Sequence, residues 1–307
     1  LMVEALGLAG MVEAGVVVVL AQRPGPATGL PTWTEQGDLR FALHAAQGDF
    51  PRVVLAPGDP EECFYLTFLA HNLAEKYQLP VIIMTDKYLA EARQSVPFFK
   101  TEALSVERGE LADTSKLSAD ARFARYAVMP SGVSPRSIPG QPGGMYVANS
   151  DEHEPTGLAN EEAEVRVAQM NKRMRKLQTL RGEIPDPVKL YGPKQADVTL
   201  VGWGSTKGSV LEVMKRVRVE SKSLPAGKAG KSLSINFLQI RLLSPFPVRE
   251  VDDVLRQAKR RVLVENNYSG QLGGLIRERT GIDITDKFLK YDGRPIHPEE
   301  IINYVNR

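Results

Sequence analysis

Residues 15–39 read GVVVVLAQRPGPATGLPTWTEQGDL, and the fold is decided there. The first part, GVVVVL at 15–20, is a β-branched run too short for a helix and apolar on both faces. A strand inside a parallel sheet reads this way. The part that follows, QRPGPATGLPTWTEQGDL at 22–39, packs three prolines, three glycines and three threonines around one arginine. Ligands of open parallel sheets bind beyond the carboxyl ends of the strands, where this loop begins. Glycine and proline make such a loop tight and nearly free of side chains. Backbone amides and the hydroxyls of Thr28, Thr32 and Thr34 can then come close to a small ligand. Arg23 contributes a planar, permanently charged fork suited to a carboxylate. An ordinary strand-to-helix loop with Arg23 in water has the same composition, and these residues alone do not separate the two.

Outward from this stretch, strands and helices alternate. RVVLA at 52–56 and PVIIMT at 80–85 read as further strands. Helices are predicted at 38–47 and at 59–78, the latter started by Asp59 or Pro60. Buried parallel strands joined by crossover helices are the simplest arrangement of this order. Residues 1–13 keep helical spacing without an N-cap and read as the tail of a helix begun upstream. Residues 96–155 are an irregular connector that packs through Phe123, Tyr126 and Met145. Residues 160–181 read as one exposed helix, acidic at Glu161, Glu162 and Glu164 and basic at Lys172, Arg173, Arg175 and Lys176. That polarity suits the helix dipole and needs no nucleic acid. A second unit has strands at 197–202, 234–243 and 261–265, with helices at 208–219, 248–259, 270–280 and 298–306. The fold class is α/β, with two α/β domains expected at 1–115 and 191–307 and the connector and its helix at 116–190.

Composition narrows the function. The 307 residues carry 39 lysines and arginines against 37 aspartates and glutamates, a formal charge of +2. No strong basic field for nucleic acid results. No apolar run approaches the roughly 20 residues of a membrane span. The single cysteine, Cys63, excludes a disulfide framework, a four-cysteine zinc site and an iron–sulfur cluster held by this chain alone. A cytoplasmic setting is the default expectation.

The loop pattern RxGPxTGxPTxxEQGDL at 23–39 resembles the α subunit of 2-oxoacid:ferredoxin oxidoreductases, in the branch of the 2-oxoglutarate synthases. Other segments agree in the same order: EALGLAGM (4–11), APGDPEECF (56–64), TDKYLAEA (85–92), GVSPRSIPGQPGG (132–144), DEHEPTG (151–157), LVGWGSTKG (200–208), LSPFP (243–247), ENNYSGQL (265–272) and KYDGRP (290–295). The resemblance implies a partial pyrimidine-binding domain of a thiamine diphosphate enzyme followed by a transketolase C-terminal-like domain. It implies that Arg23 holds the 2-oxoacid carboxylate, that Thr32 contacts substrate, and that Gly25, Pro26, Thr28 and Gly29 form the substrate- and cofactor-binding loop. It further implies thiamine diphosphate with Mg2+ shared with or held by a β subunit, a [4Fe-4S] cluster on that partner, coenzyme A as co-substrate, ferredoxin as electron acceptor, and an α2β2 assembly. The family's YPITP-type motif and its cofactor-activating glutamate precede EALGLAGM, so the chain is expected to lack part of its own site. A transketolase, a dehydrogenase E1 β chain or a non-catalytic scaffold subunit are the rival readings.

Lesser candidates are read plainly. GWGSTKG at 202–208 opens a helix after a strand but lacks dinucleotide spacing, and is expected to be a turn at a domain or subunit contact. GKAGKS at 227–232 echoes a phosphate loop but has Pro225 where glycine belongs, and is read as a flexible loop. His153 is expected in a solvated acidic turn, His44 and His71 on helices, His297 at a helix start, and Cys63 as a buried structural thiol. Glu265 to Tyr268 form either a simple turn or a partner-facing end of a strand.

Overall fold

The computed structural model describes residues 3–113, 115, 117, 122–223 and 233–307. In chain order its elements begin α1 (Val3–Met11), β1 (Val16–Gln22), α2 (Leu39–His44), β2 (Val53–Leu55), α3 (Pro60–Tyr77), β3 (Pro80–Asp86) and α4 (Lys87–Ala90). After the connector come α5 (Ala163–Leu180), β4 (Val188–Tyr191), β5 (Val198–Gly202), α6 (Thr206–Ser223), β6 (Ile235–Ile240) and β7 (Leu242–Ser244). The chain then forms α7 (Val248–Gln257), β8 (Arg260–Glu265), α8 (Gln271–Thr280), β9 (Asp286–Leu289) and α9 (Pro298–Val305).

Two mixed sheets result, in the orders β1-β3-β2-β7 and β4-β6-β5-β8-β9. β1, β3 and β2 run parallel, and β7 lies antiparallel to β2. In the second sheet β6, β5, β8 and β9 are parallel and β4 antiparallel. α3 shows why its residues become helix. Asp59 accepts the Glu62 N–H at 2.8 Å, and Pro60 follows in the first turn, where no amide hydrogen is needed. Leu66, Ala70, Leu73 and Ala74 then share one buried face. The helix stops where Gln78 turns left-handed at φ 53°.

The two sheets share a core. Val54, Ile82 and Met84 of the first pack in one cluster with Leu238 and Leu263 of the second, joined by Trp203, Leu272 and Ile276.

Several expectations need correction. Residues 234–243 are two strands, because the chain bends at Arg241 and β7 leaves its own sheet to pair with β2. β1 is an edge strand with Val19 61% exposed, so GVVVVL does not lie inside the sheet. α2 is only six residues long, shorter than 38–47. β4 and β9, four residues each and only half-buried, were not foreseen. In the connector Phe123 and Tyr126 are buried as expected, but Met145 is exposed. GKAGKS lies outside the described residues.

The largest correction concerns α5, which is not a solvated charged helix. Lys172, Arg173 and Lys176 are buried. Lys172 Nζ and Lys176 Nζ each lie 2.6 Å from one oxygen of buried Glu13, just beyond α1. Arg125 Nη2 donates to the Glu13 backbone carbonyl at 2.9 Å, and Arg173 forks onto Glu152 at 2.8 and 2.6 Å. Burial opposes the Glu13 charge, but the two ammonium groups outweigh it and hold the carboxyl at about 2. Burial, against the pull of Glu13, lowers Lys172 to about 8. His153 is likewise buried, its ring 4.1 Å from that of Tyr126 and its Nδ1 2.9 Å from the Asp151 carbonyl, so DEHE is no solvated turn.

Candidate functional site

The loop at 22–39 leaves the carboxyl end of β1 beside the end of β3, and Gln22 anchors its root. The Gln22 amide donates to the Thr85 carbonyl at 3.2 Å and accepts the Asp38 N–H at 3.0 Å, closing the loop at its base. Between Pro24 and Leu30 the chain turns tightly. Gly25–Pro26 is cis, Gly29 has φ 50°, and the Leu30 amide donates to the Pro24 carbonyl at 3.1 Å. A Cβ on Gly29 would collide with that carbonyl, so glycine is required there.

Motifs from the far half of the chain grip the rest of the loop. The buried Gln36 side chain donates to the Trp203 carbonyl at 2.9 Å and accepts the Asn266 amide at 3.0 Å. Its backbone N–H donates to the Asn266 carbonyl at 2.7 Å, and its carbonyl accepts from Asn267 Nδ2 at 3.0 Å. Thr34 N–H donates to the Gly293 carbonyl at 3.1 Å, and the Arg294 guanidinium stacks 3.2 Å above the Trp33 ring. Gln271 Nε2 donates to the Gly37 carbonyl at 2.6 Å.

Glu265 holds the gripping residues themselves. It is fully buried and accepts from Trp203 Nε1 at 2.9 Å, Asn267 Nδ2 at 2.9 Å and the Leu272 amide at 3.0 Å. Burial pushes its carboxyl upward, and those donors pull the other way. The segment 265–267 is therefore neither a simple turn nor exposed to a partner, and only Tyr268 projects outward. Sequence reading gave Gln36 no role and took Glu265 only for a turn or a strand end, because nothing local to either residue names its partner.

The predicted site residues lie on this clasped loop. Arg23, Gly25, Pro26, Thr28, Gly29 and Thr32 are all exposed. The Arg23 guanidinium has no partner among the described residues. Thr32 lines a cavity of about 250 Å3 with Trp33, Tyr88, Gly293 and Pro295, and Arg23 is not among its lining residues. Beneath it, Thr34 Oγ1 accepts the Tyr88 amide at 3.2 Å. Asp86, at the end of β3, caps α4 through the Leu89 amide at 2.9 Å, and burial raises its carboxyl despite that bond. Among the described residues no group of three His, Cys, Asp or Glu side chains could hold a metal ion.

The minor candidates have structural positions. Lys207 of GWGSTKG reaches from α6 to Asp59 and to Glu62 Oε1, the latter at 2.7 Å, and Gln239 completes Glu62 at 2.7 Å. The motif thus ties α6 to α3 and β6. Cys63 is half-buried, not fully buried, and burial together with Asp59 and Glu62 pushes its thiol to about 11. His44 and His71 are exposed on α2 and α3, and His297 caps α9. No described helix is long and apolar enough to cross a membrane.

Two mixed α/β sheets with a shared core define an α/β protein, and a clasped, glycine-rich loop at the carboxyl end of parallel strands lies where open α/β sheets generally take their ligands. The family described as pyruvate flavodoxin/ferredoxin oxidoreductase, thiamine diphosphate-binding, matches residues 1–172, and the chain belongs to it. It is similar to subunit alpha of 2-oxoacid:ferredoxin oxidoreductase 1 of Aeropyrum pernix, 37% identical over 99% of this chain and 46% of that one. It is 31% identical to the 2-oxoglutarate oxidoreductase subunit KorA of Mycobacterium tuberculosis, over 98% of this chain and 43% of that one. A solved 2-oxoglutarate:ferredoxin oxidoreductase from Magnetococcus marinus, with 2-oxoglutarate, coenzyme A and succinyl-CoA bound, superposes with a TM-score of 0.87 at 35% identity. That match covers 99% of this chain and 50% of the other. The chain therefore spans about half the length of these relatives.

Proposed function

We propose that this chain is the substrate-orienting part of a thiamine diphosphate-dependent oxidoreductase α subunit that decarboxylates a 2-oxoacid, 2-oxoglutarate in particular, to an acyl-CoA. The clasp on residues 22–39 carries this reading. A loop that would otherwise sample many conformations is held from both sheets, and its exposed start presents a guanidinium with no partner among the described residues. Fixing the loop backbone before the ligand arrives reduces the ordering cost of binding.

The loop suits a cofactor that approaches backbone closely. Gly25, Pro26, Thr28 and Gly29 offer main chain and one hydroxyl, with no bulky side chain in the way. Thiamine diphosphate, when bound, supplies the electron sink that decarboxylation of a 2-oxoacid requires. Arg23 would hold the substrate carboxylate through two parallel N–H···O bonds and so aim the keto carbon. Thr32 would add a hydroxyl contact from the neighbouring cavity. In this reading Mg2+, the diphosphate and a [4Fe-4S] cluster belong to a β subunit, ferredoxin takes the electrons, coenzyme A takes the acyl group, and a cytoplasmic α2β2 complex is the working unit.

The substrate assignment draws on the Magnetococcus marinus and Mycobacterium tuberculosis relatives, whose names specify 2-oxoglutarate; the Aeropyrum pernix relative is described only as a 2-oxoacid enzyme. The test is viologen reduction by the α subunit reconstituted with its β partner. 2-Oxoglutarate should give a higher kcat/KM than pyruvate. The reverse preference would overturn the substrate assignment, and no 2-oxoacid-dependent reduction would overturn the whole reading.

A further inference from the structure

We propose that the cleft between α2, α8 and β9 binds a phosphate-bearing small molecule through Arg40, Arg277 and Lys287, independently of the 2-oxoacid reading. The cleft has a volume of about 430 Å3, in the range of small-molecule sites. Its three cations come from three elements, and only the tertiary fold brings Arg40 to the other two. The Arg40 guanidinium and the Lys287 ammonium have no partner among the described residues. Among the described residues Arg277 pairs only with Asp283, at 4.0 Å.

In two other clusters the converging lysines touch carboxylates directly. Glu13 answers Lys172 and Lys176, and Asp59 and Glu62 answer Lys207. Here neither Arg40 nor Lys287 touches a carboxylate among the described residues, and three cations against Glu278 and Asp283 leave a positive potential inside a recess. Glu278 and Asp283 also line the cleft, but Glu278 is already paired with Arg279 at 3.2 Å. These carboxylates would repel a long polyanion and leave room for one phosphate or diphosphate between the cations.

The floor of the cleft is built for close approach. Gly270, Gly273 and Gly274 line it without side chains. A Cβ on Gly274 would lie 2.6 Å from Arg40 Nη2, so glycine is what allows the guanidinium to rest on α8. Gln271 accepts the Arg40 backbone amide at 3.0 Å and thereby ties α2 to the start of α8. The first amides of α8, a common phosphate cradle, are not free, because Glu265 accepts from Leu272 and Gly273. Binding therefore falls to the side chains. Two guanidinium forks and an ammonium match the several oxygens of a phosphate better than the two of a carboxylate.

Isothermal titration of the purified protein with sodium pyrophosphate, and separately with ADP, tests this in magnesium-free buffer at physiological ionic strength. Saturable binding with Kd below about 1 mM is expected. Arg40→Gln and Lys287→Met should each weaken it about tenfold, the loss of one charge-assisted contact. Asp283→Asn should tighten it. Circular dichroism and melting curves identify any variant that fails to fold. Tighter binding of ADP than of pyrophosphate would assign a nucleotide, and equal or weaker binding a free phosphate anion; either supports the site. Absence of saturable binding with both probes, or unchanged affinity in the folded Arg40 and Lys287 variants, would overturn it.

Discussion

Arg23 and Glu265 show two opposite uses of a charged side chain. Arg23 is exposed and has no partner among the described residues, so in the proposed reading it acts only when a ligand arrives. In the assembled enzyme Arg23→Ala should remove a bidentate contact costing about 2–5 kcal/mol. That corresponds to a fall of about 30- to 3,000-fold in kcat/KM for the 2-oxoacid. Arg23→Lys should recover only part of it, because an ammonium lacks the planar fork. Thiamine diphosphate affinity, measured by titration, should be unchanged in both variants. Glu265 is already satisfied, and both its oxygens only accept. Glu265→Gln must turn an NH2 group towards one set of donors, leaving a buried amide or indole hydrogen unpaired at about 1–3 kcal/mol. Urea denaturation should show that loss, together with lower activity as Asn267 and the loop loosen.

At the scale of elements, α5 is held to the turn after α1 by a buried carboxylate, Glu13, between two buried ammonium groups. Glu13→Gln strands Lys172 and Lys176 and should destabilise the protein by about 3–5 kcal/mol. A triple replacement, Glu13→Leu with Lys172→Met and Lys176→Met, should recover most of that loss, since no buried charge then lacks a partner. The same group governs acid sensitivity. Its carboxyl lies at about 2 in the folded chain against an ordinary 4.5, so its stabilisation is complete above pH 4.5 and is lost as pH falls towards 2. Stability measured by urea titration from pH 6 to pH 3 should therefore fall more steeply in the native protein than in the triple variant. Equal slopes would show that Glu13 is not ionised in the fold.

At the scale of the molecule, the shared core predicts one cooperative transition. Trp203, wholly buried where the two sheets meet, should report unfolding by fluorescence at the same urea concentration as far-UV circular dichroism. Lys207→Met removes the cation that touches both Asp59 and Glu62, leaving Glu62 only the Arg241 cation, at 3.7 Å, among the described residues, and should lower the midpoint without splitting the transition. Two separated transitions in the unmodified protein would mean that the halves fold as independent units.

The sequence by itself determined the α/β class, most of the strands and long helices, and the loop at 22–39 as the place of interest. Those features are local: β-branched runs, an Asp–Pro helix start, and glycine where φ is positive are legible from neighbouring residues. β4 and β9 escaped because four half-buried residues carry too little pattern. What only the tertiary structure decided depends on partners remote in the chain. The lysines of α5 look solvated until Glu13, 159 residues from Lys172, is brought beside them. Gln36 and Asn266, 230 residues apart, become the grip on the loop only when both sheets are packed. A buried charge and a solvated one are the same letters; the difference is the counter-charge that folding supplies.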